Sequence, residues 1–224
     1  MTFTLITKLL FKYLYKIKEK LFPDRKFRRA RLWSNNELQK VASFFSGDVI
    51  NVSGWQDSDK RSKKYKDYFI NAKSYSISNY GGDMGFQNTK NEILLDLEKD
   101  LDQKYISRYD VVFNHTVLEH IFDVDKAFQN LCLMSKDVVI VVVPFMQEMH
   151  YGEAYKDYWR FTPFALTRMF EKNGMELIYL NANNKRNESS YVFAIGSRNP
   201  RMWEKKVNYV NREAFKDLGN KIIW

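Results

Sequence analysis

The sequence predicts an α/β fold, a doubly wound and mainly parallel sheet of about seven strands, preceded by a basic amphipathic helix. Stretch 109–144 carries most of this prediction. A β-branched and aromatic run at 110–113 is followed by apolar residues at helical spacing over 124–134 and by an almost unbroken apolar run at 138–143. Two strands joined by a helix make a βαβ unit, and a strand that is apolar on both faces is typical of a parallel sheet covered on both sides. Strand and helix patterns also alternate along most of the chain, as in doubly wound sheets.

The elements before this unit follow from local signals. Ser34 is a suitable N-cap with Glu37 at the capping-box position, which predicts a short helix from Ser34 to about Phe45. The pattern then predicts a first strand and its loop after Gly47, a helix at about 58–68, a second strand at 72–78, a glycine-containing loop at 79–88 and a short third strand at 92–95.

The elements behind the unit complete the sheet. We expect an aromatic and charged loop at 145–162, a helix at 163–173, strands at 175–181 and 190–197 and a helical tail at 200–219. Pro163 in the first turn of the helix and Gly174 after its end are typical boundary residues. No internal repeat or Gly/Ser linker divides this part of the sequence, so we expect one domain over 32–224.

Residues 1–31 form a separate basic leader in this prediction. Over 2–22, apolar residues recur at spacings of three and four, and lysines recur every fourth residue on another face until Pro23. The lysines exclude a signal peptide and a bilayer-spanning helix. Two interpretations remain open. The helix lies on an anionic membrane surface, or it packs on the body of the protein or on a partner protein.

Charge and cysteine content narrow the function classes. The leader holds ten basic and two acidic side chains, a net charge of +8 out of +9 for the 224 residues. The nearly neutral body argues against nucleic-acid binding, which needs a basic face. Cys132 is the single cysteine, which fits a reducing compartment and a buried structural thiol. We therefore expect a cytoplasmic protein that can attach peripherally to the inner face of the membrane.

The functional rim is expected beyond the carboxyl ends of the strands, where doubly wound sheets bind ligands. Asn114 and His115 follow the strand at 110–113, and residues 144–147 follow the next strand. His115 is the candidate general base, since an imidazole accepts a proton near neutral pH. The alternative is that His115 only caps the loop. Glu119 and His120 are expected to orient the loop, and the three histidines show no metal-ligand spacing, so no metal site is expected.

The loop at 145–162 combines aromatic rings with charged side chains. Its aromatic residues are Tyr151, Tyr155, Tyr158, Trp159 and Phe161. Such rings can stack on sugar rings while Asp157 and Arg160 fix hydroxyl or phosphate groups. The alternative is a lid whose rings cover the sheet edge, with Arg160 paired to Asp157.

Two motifs resemble a known family. YDVVFNHTVLEHIFDVDKAF, with Leu118-Glu119-His120, is similar to the fourth strand and following loop of the class I S-adenosylmethionine-dependent methyltransferases. The VVPF…H…DYWRFTP pattern over 142–163 is similar to their next loop. The resemblance covers about 47–197 and extends to the bacterial branch that often modifies sugars and surface glycans. It implies a Rossmann-like methyltransferase fold and methyl transfer from S-adenosylmethionine to a hydroxyl of a sugar or glycan precursor.

The cofactor motifs of that family are only partly kept. The family has an acid two places before a Gly-x-Gly-x-Gly turn, whereas this chain has Asn51 and then Ser53, Trp55 and Asp57 at the three glycine positions. Ser78-Asn79 stands where the family holds the ribose with a carboxylate, and Asp96 matches its adenine-side acid. The resemblance implies cofactor contacts by Ser53, Gly54, Trp55, Ser78, Asn79, Asp96, Leu97 and Asn114, and acceptor contacts by His150, Asp157, Trp159 and Arg160.

Two alternatives to this enzyme remain open. The first is a non-catalytic methyltransferase-like scaffold or partner in glycan assembly, whose cofactor turn is filled by Trp55. The second is an enzyme that holds a different ligand in the same cleft and performs another transfer or lyase-like reaction. Turn 51–57 is the feature that separates them, because Trp55 either blocks the cofactor position or leaves it accessible.

Overall fold

The computed structural model describes residues 25–218 except 60, 62, 83–84, 185–187 and 217, and gives only the backbone of 25, 26 and 214. Its helices are α1 Arg25–Val41, α2 Val124–Met134, α3 Pro163–Lys172 and α4 Glu213–Lys216. Its strands are β1 Gly47–Val52, β2 Ala72–Asn79, β3 Glu92–Leu94, β4 Tyr109–His115, β5 Ser135–Met146, β6 Glu176–Ala182, β7 Ser190–Ser197 and β8 Tyr209–Val210. In the described part of the chain, no helix has the length and hydrophobicity needed to cross a membrane.

The eight strands of the described residues belong to one sheet, in the order β3-β2-β1-β4-β5-β7-β6-β8. The pairs from β3 to β5 are parallel, and β7 runs antiparallel to both β5 and β6. The sequence therefore predicts the fold class correctly. The two-residue strand β8 was not predicted, and it adds an eighth strand beside β6.

Strand β5 shows why the sheet is covered on both faces. Val139, Val141 and Val143 pack in a core with helices α2 and α3. The alternate residues Val138, Ile140 and Val142 pack in a second core, to which α1 contributes Ala30 and Leu38. Because strand side chains alternate between faces, an unbroken apolar run is buried on both sides, as predicted.

The predicted helix start at Ser34 is wrong, because the chain is already helical at Arg25. Ser34 Oγ donates back to the Arg31 carbonyl at 2.9 Å instead of capping the helix. The carboxylate of Glu37 is buried and accepts hydrogen bonds from Tyr179 and Asn181 of β6. The expected boundary between leader and body at residue 31 thus falls inside α1, while the predicted helix at 2–22 lies outside the described residues.

The helix predicted at 58–68 is also wrong, since the described residues of this stretch form a β-bridge between Ser58 and Lys64 and a 3-10 turn at Tyr65–Tyr68. The carboxylate of Asp59 accepts the backbone N–H groups of Arg61 and Lys63, and Asp57 accepts that of Lys66. Acidic side chains that bind nearby N–H groups compete with helix formation. The tail at 200–219, predicted as helical, contains a 3-10 turn, β8 and the short α4.

Candidate functional site

A cavity of about 570 Å³ opens at the carboxyl ends of β1 to β4. Its lining contains Ser53, Trp55, Asn79, Asp96, Leu97 and His150 from the predicted site, together with Arg31, Tyr80, Glu98, His120 and Tyr155 among others. A larger cavity of about 980 Å³ lies against the start of β6 at Glu176 and Leu177. That is not the edge at which doubly wound sheets bind ligands, so we take the 570 Å³ cavity as the candidate site.

The turn after β1 keeps a tight path without the family's glycines. Ser53, Trp55 and Asp57 all have left-handed backbone, with φ of 57°, 44° and 55°. This conformation is unfavourable for residues with a Cβ atom, and it persists only where surrounding contacts hold it. Trp55 remains 42% exposed and forms part of the cavity wall, so it does not fill the cavity.

Polar contacts from β1 and β2 hold this turn. The Trp55 N–H donates to Asn79 Oδ1 at 2.6 Å, and Asn79 Nδ2 donates to the Trp55 carbonyl at 3.1 Å. Asn51 Nδ2 donates to Asp57 Oδ1 at 2.8 Å. The Asn51 side chain lies so close to Gly54 that a Cβ there would be 2.5 Å from Nδ2. Gly54 is therefore required by packing, and it does not appear among the cavity-lining residues of the described chain.

The last two residues of β2, Ser78 and Asn79, hold the turn after β1 in place. Ser78 is fully buried, and its hydroxyl accepts a long hydrogen bond of 3.4 Å from the Ser53 N–H. Asn79 lines the cavity, but its amide is already used by Trp55 and by Glu92, at 2.7 Å. Two positions predicted to replace the ribose-binding acid are thus engaged within the protein.

The residues that follow β3 line the cavity. Asp96 is partly exposed, and its Oδ1 accepts the Glu98 N–H at 2.9 Å. Leu95 and Leu97 provide apolar wall on either side of it. A carboxylate between apolar side chains can recognise the polar edge of a mainly apolar ring or a sugar hydroxyl.

The last two residues of β4, Asn114 and His115, have their side chains on opposite faces of the sheet. Asn114 is fully buried and donates to the Val52 carbonyl at 3.0 Å, while its Oδ1 has no partner among the described residues. His115 lies on the α1 side, with Nε2 at 2.8 Å from Ser34 Oγ and Nδ1 at 3.2 Å from Thr116 Oγ1. Neither residue is among the described residues that line the cavity. This arrangement gives no support to His115 as a base.

The loop after β5 is held by an ion pair between the partly exposed Arg160 and the buried carboxylate of Asp157. Both nitrogens of the Arg160 fork donate to Asp157, at 2.5 and 2.7 Å, and Asp157 also accepts the His150 N–H at 2.8 Å. The hydrogen bonds from Arg160 and His150 outweigh the effect of burial and hold the pKa of Asp157 below its usual value. Trp159 Nε1 donates to the Ile121 carbonyl at 2.9 Å. Of the four predicted acceptor contacts, His150 lines the cavity and the other three position its loop.

The structure also brings the side chains of Glu119, His120 and His150 together, which their spacing in the sequence does not predict. Glu119 follows β4 and is fully buried, and burial raises the pKa of its carboxyl group to about 8. His120 and His150 lie beside it, and their ring centroids are 4.8 Å apart. Burial also lowers the pKa of His120. The two histidines come from loops after different strands, so only their rim positions, and not their spacing, could have indicated that they meet.

Arg31 is a further cavity residue that sequence analysis missed. It lies in α1 and interacts electrostatically with Glu119, although its sequence position placed it in the basic leader. The signal that was available is its distance from Leu38 and Ala42, seven and eleven residues on, which places it on the same face of a continuous helix.

Comparison with known proteins supports the fold. No family model matches the sequence, and no curated protein matches it. A protein of Bacillus halodurans C-125 assigned as a methyltransferase has a similar structure, with a TM-score of 0.52 and 10% identity over 73% of this chain and 97% of that one. A chain in the complex of the Haloferax volcanii Trm112 methyltransferase activator with its assigned methyltransferase has a TM-score of 0.56 and 11% identity, over 82% and 92%.

These likenesses agree with the α/β fold class predicted from the sequence. At about a tenth of identical residues, they concern the fold. The predicted resemblance is confirmed at that level: the chain has the fold of the class I S-adenosylmethionine-dependent methyltransferases.

Proposed function

We propose that this protein is a methyltransferase that binds S-adenosylmethionine in the 570 Å³ cavity. The observation that carries the proposal is the turn at 53–57, which keeps three residues other than glycine in the left-handed conformation and leaves the cavity accessible beside Trp55. A scaffold that had lost its ligand would have no need to retain such an unfavourable backbone.

The residues of the cavity fit this cofactor. Its volume lies within the range of ordinary small-molecule sites, about 300–1,000 Å³. Asp96 can accept hydrogen bonds from the nucleoside, with Leu95 and Leu97 against the base, and the guanidinium of Arg31 can bind the carboxylate of the amino-acid part. The backbone at Ser53 and Trp55 would line the same molecule. When bound, the cofactor supplies an electrophilic methyl group.

We propose an acceptor with ring hydroxyls, a sugar or glycan precursor. The loop at 147–162 between β5 and α3, which we call the aromatic loop, supports this class of acceptor. Its residues Tyr151, Tyr158 and Trp159 are 65%, 47% and 39% exposed. Trp159 is fixed by its hydrogen bond to Ile121, so its exposed ring face is preorganised for stacking. His150 belongs to both the loop and the cavity wall, and it is the residue we place nearest to the acceptor.

The experiment that tests this proposal follows a labelled methyl group from S-adenosylmethionine to a panel of sugars, oligosaccharides and nucleotide sugars. We expect label in a hydroxylated acceptor, and loss of at least tenfold in turnover for Tyr158→Ala, whose ring is exposed in the loop. Phe164→Ala is the matched control, because Phe164 is 76% exposed but lies in α3, outside the loop. Label transfer only to acceptors without hydroxyl groups would contradict the acceptor class.

We also propose that the basic segment before α1 attaches the protein to an anionic surface. The lysines at every fourth position and the apolar residues between them support this proposal. A partner protein that binds the same face is the second candidate. In either case we expect the domain that carries the cavity to fold without this segment.

A further inference from the structure

Glu119 has a buried carboxyl group that is not hydrogen-bonded to any described residue. It lies in the 3-10 turn Leu118–His120 after β4 and is fully inaccessible to solvent. Neither of its carboxylate oxygens has a hydrogen-bond partner in the described part of the protein. Leaving a buried polar group unpaired costs about 1–3 kcal/mol, and more for a charged one. A group retained at that cost is expected to bind something.

Each of the two neighbouring histidines has its Nδ1 close to an oxygen atom of the aromatic loop. His120 Nδ1 lies 2.6 Å from the Lys156 carbonyl, so Nδ1 carries the proton and Nε2 keeps its lone pair. That Nε2 is 3.8 Å from Glu119 Oε1. His150 Nδ1 lies 3.2 Å from Asp157 Oδ2, and the Gln147 amide nitrogen lies 3.1 Å from the same Nδ1 and 3.4 Å from Nε2. Histidines that bind metals commonly donate their other N–H to a carbonyl or a carboxylate in this way.

We propose that Glu119, His120 and His150 bind a single divalent transition-metal ion, with zinc as the first candidate. Each residue offers one ligand atom, and the three atoms lie within 4.8 Å of one another. Around zinc, with bonds of about 2.0–2.2 Å, ligand atoms of a tetrahedral site are about 3.5 Å apart, so closing the set needs side-chain movements of about 1 Å. Two imidazoles and one carboxylate are a common zinc-binding set with one open position.

The surrounding charges allow the site to bind a cation. Arg160 interacts electrostatically with Glu119, but Asp157 already binds its guanidinium group through two hydrogen bonds. Arg31 interacts with Glu119 but also with Tyr191 and Tyr65. The rival explanation is a Glu119 that simply keeps its proton. The two explanations differ in whether the protein holds metal.

An ion held here would lie at the wall of the cavity, because His120 and His150 both line it. If the proposed function is correct, its open position could bind an acceptor hydroxyl and lower the pKa of that hydroxyl. That role rests on the proposed function, whereas the site itself does not. Metal binding and cofactor binding can therefore be measured separately, and either can fail alone.

The experiment uses full-length protein that is stripped with a chelator, dialysed and titrated calorimetrically with Zn²⁺ in the absence of any cofactor. We expect one ion per chain with a Kd below about 1 μM. Co²⁺ should give the visible absorption of a low-symmetry site with nitrogen and oxygen ligands. His150→Ala and His120→Ala should each weaken zinc binding by on the order of a hundredfold.

Two control variants test whether the cluster itself binds the ion. His115→Ala removes a histidine that contacts Ser34 on the α1 side, and Glu98→Gln removes an exposed cavity carboxylate. Both should bind zinc like the parent protein. Circular dichroism of each variant checks that it is folded, and Glu119→Gln adds a third ligand variant. Absence of stoichiometric zinc binding by the folded parent protein, or unchanged binding by folded His150→Ala and His120→Ala, would overturn the proposal.

Discussion

At the scale of single residues, Gly54 and Asn51 show how the turn after β1 is built. The Asn51 amide occupies the space that a side chain at position 54 would need, since a Cβ atom there would lie 2.5 Å from Asn51 Nδ2. Gly54→Ala should therefore lower the free energy of unfolding by about 1–3 kcal/mol, as overpacking does. Urea denaturation followed by circular dichroism measures this change.

Gly81→Ala is the matched control for that variant. A Cβ at position 81 would lie 3.6 Å from Leu94 Cδ1, an ordinary contact. We expect its stability to differ from that of the parent protein by less than about 0.5 kcal/mol. Equal stabilities of the two variants would show that the close approach of Asn51 to Gly54 does not constrain the turn.

Glu92 should make stability depend on acid pH. Burial opposes its ionisation, but hydrogen bonds from Asn79, Thr89 and Gln87 prevail and lower its pKa from 4.5 to about 2. A carboxyl group with a lowered pKa in the folded state stabilises the protein above its unfolded pKa, and this contribution is lost as pH falls from about 4.5 to 2. Glu92→Gln should therefore be less stable than the parent protein at pH 7, by about 2 kcal/mol.

The measurement is the free energy of unfolding of both proteins from pH 7 to pH 2.5. The difference between them should shrink steadily below pH 4.5. Glu153→Gln serves as a control, since Glu153 is an exposed residue of the aromatic loop. A difference that stays constant down to pH 2.5 would contradict the assignment of this effect to the ionised Glu92.

Residues of the site differ in how well the sequence predicts them. Asp96 comes shortly after β3 and His150 lies in the loop after β5, and both line the cavity. The sequence predicts these two residues because its strand pattern shows which residues follow the carboxyl end of a strand. His115 does not line the cavity, because its side chain lies on the α1 side of the sheet. It is two residues from Phe113, which packs under α1, and alternation puts His115 on that same face. The left-handed turn at 53–57 depends on Asn79, 24 residues from Trp55, and no local pattern predicts such a contact.

At the scale of elements, the aromatic loop is the part whose order depends on one ion pair. The Asp157 side chain is 1% exposed and that of Arg160 is 28% exposed. Removing one partner of such a pair leaves the other uncompensated. Asp157→Asn should lower the free energy of unfolding by about 2–3 kcal/mol, and it should speed amide hydrogen exchange over 147–160.

The matched control is Glu171→Gln in α3, which removes an ion pair with Arg168, also three residues away. Those side chains are 49% and 84% exposed, and exposed pairs contribute less than about 1 kcal/mol. Hydrogen exchange in the loop should be unchanged in this variant. Equal exchange rates in Asp157→Asn and the parent protein would show that the ion pair does not order the loop.

Elements with strong hydrophobic patterns were predicted well. Helix α2 has the predicted bounds, Val124–Met134, and β7 also matches at Ser190–Ser197, because their periodicity agrees with their tertiary burial. The prediction failed where polar side chains form hydrogen bonds that the local helical pattern does not indicate. Glu37 looked like a capping residue but binds Tyr179, 142 residues away. Asp59 holds backbone N–H groups of its own loop and Tyr68, so the expected helix does not form.

At the scale of the whole molecule, we expect the basic segment to bind the membrane and the domain to fold without it. Each lysine near an anionic surface contributes about 1 kcal/mol. We expect full-length protein to pellet with anionic vesicles, and protein lacking residues 1–24 to remain in the supernatant with the same circular dichroism of its domain. Neutral vesicles are the control. Equal pelleting of both proteins with anionic vesicles would contradict the membrane proposal, and a partner protein would become the remaining candidate.

The proposed function depends on whether the cavity binds the cofactor. Calorimetric titration of full-length protein with S-adenosylmethionine and with S-adenosylhomocysteine measures this directly. We expect one molecule per chain with a Kd in the micromolar range, about −8 kcal/mol. Asp96→Ala should weaken binding at least tenfold, because Asp96 lines the cavity, whereas Asp100→Ala, outside the lining, should not change it. Absence of binding up to millimolar concentration would contradict the proposal that this fold acts as a methyltransferase.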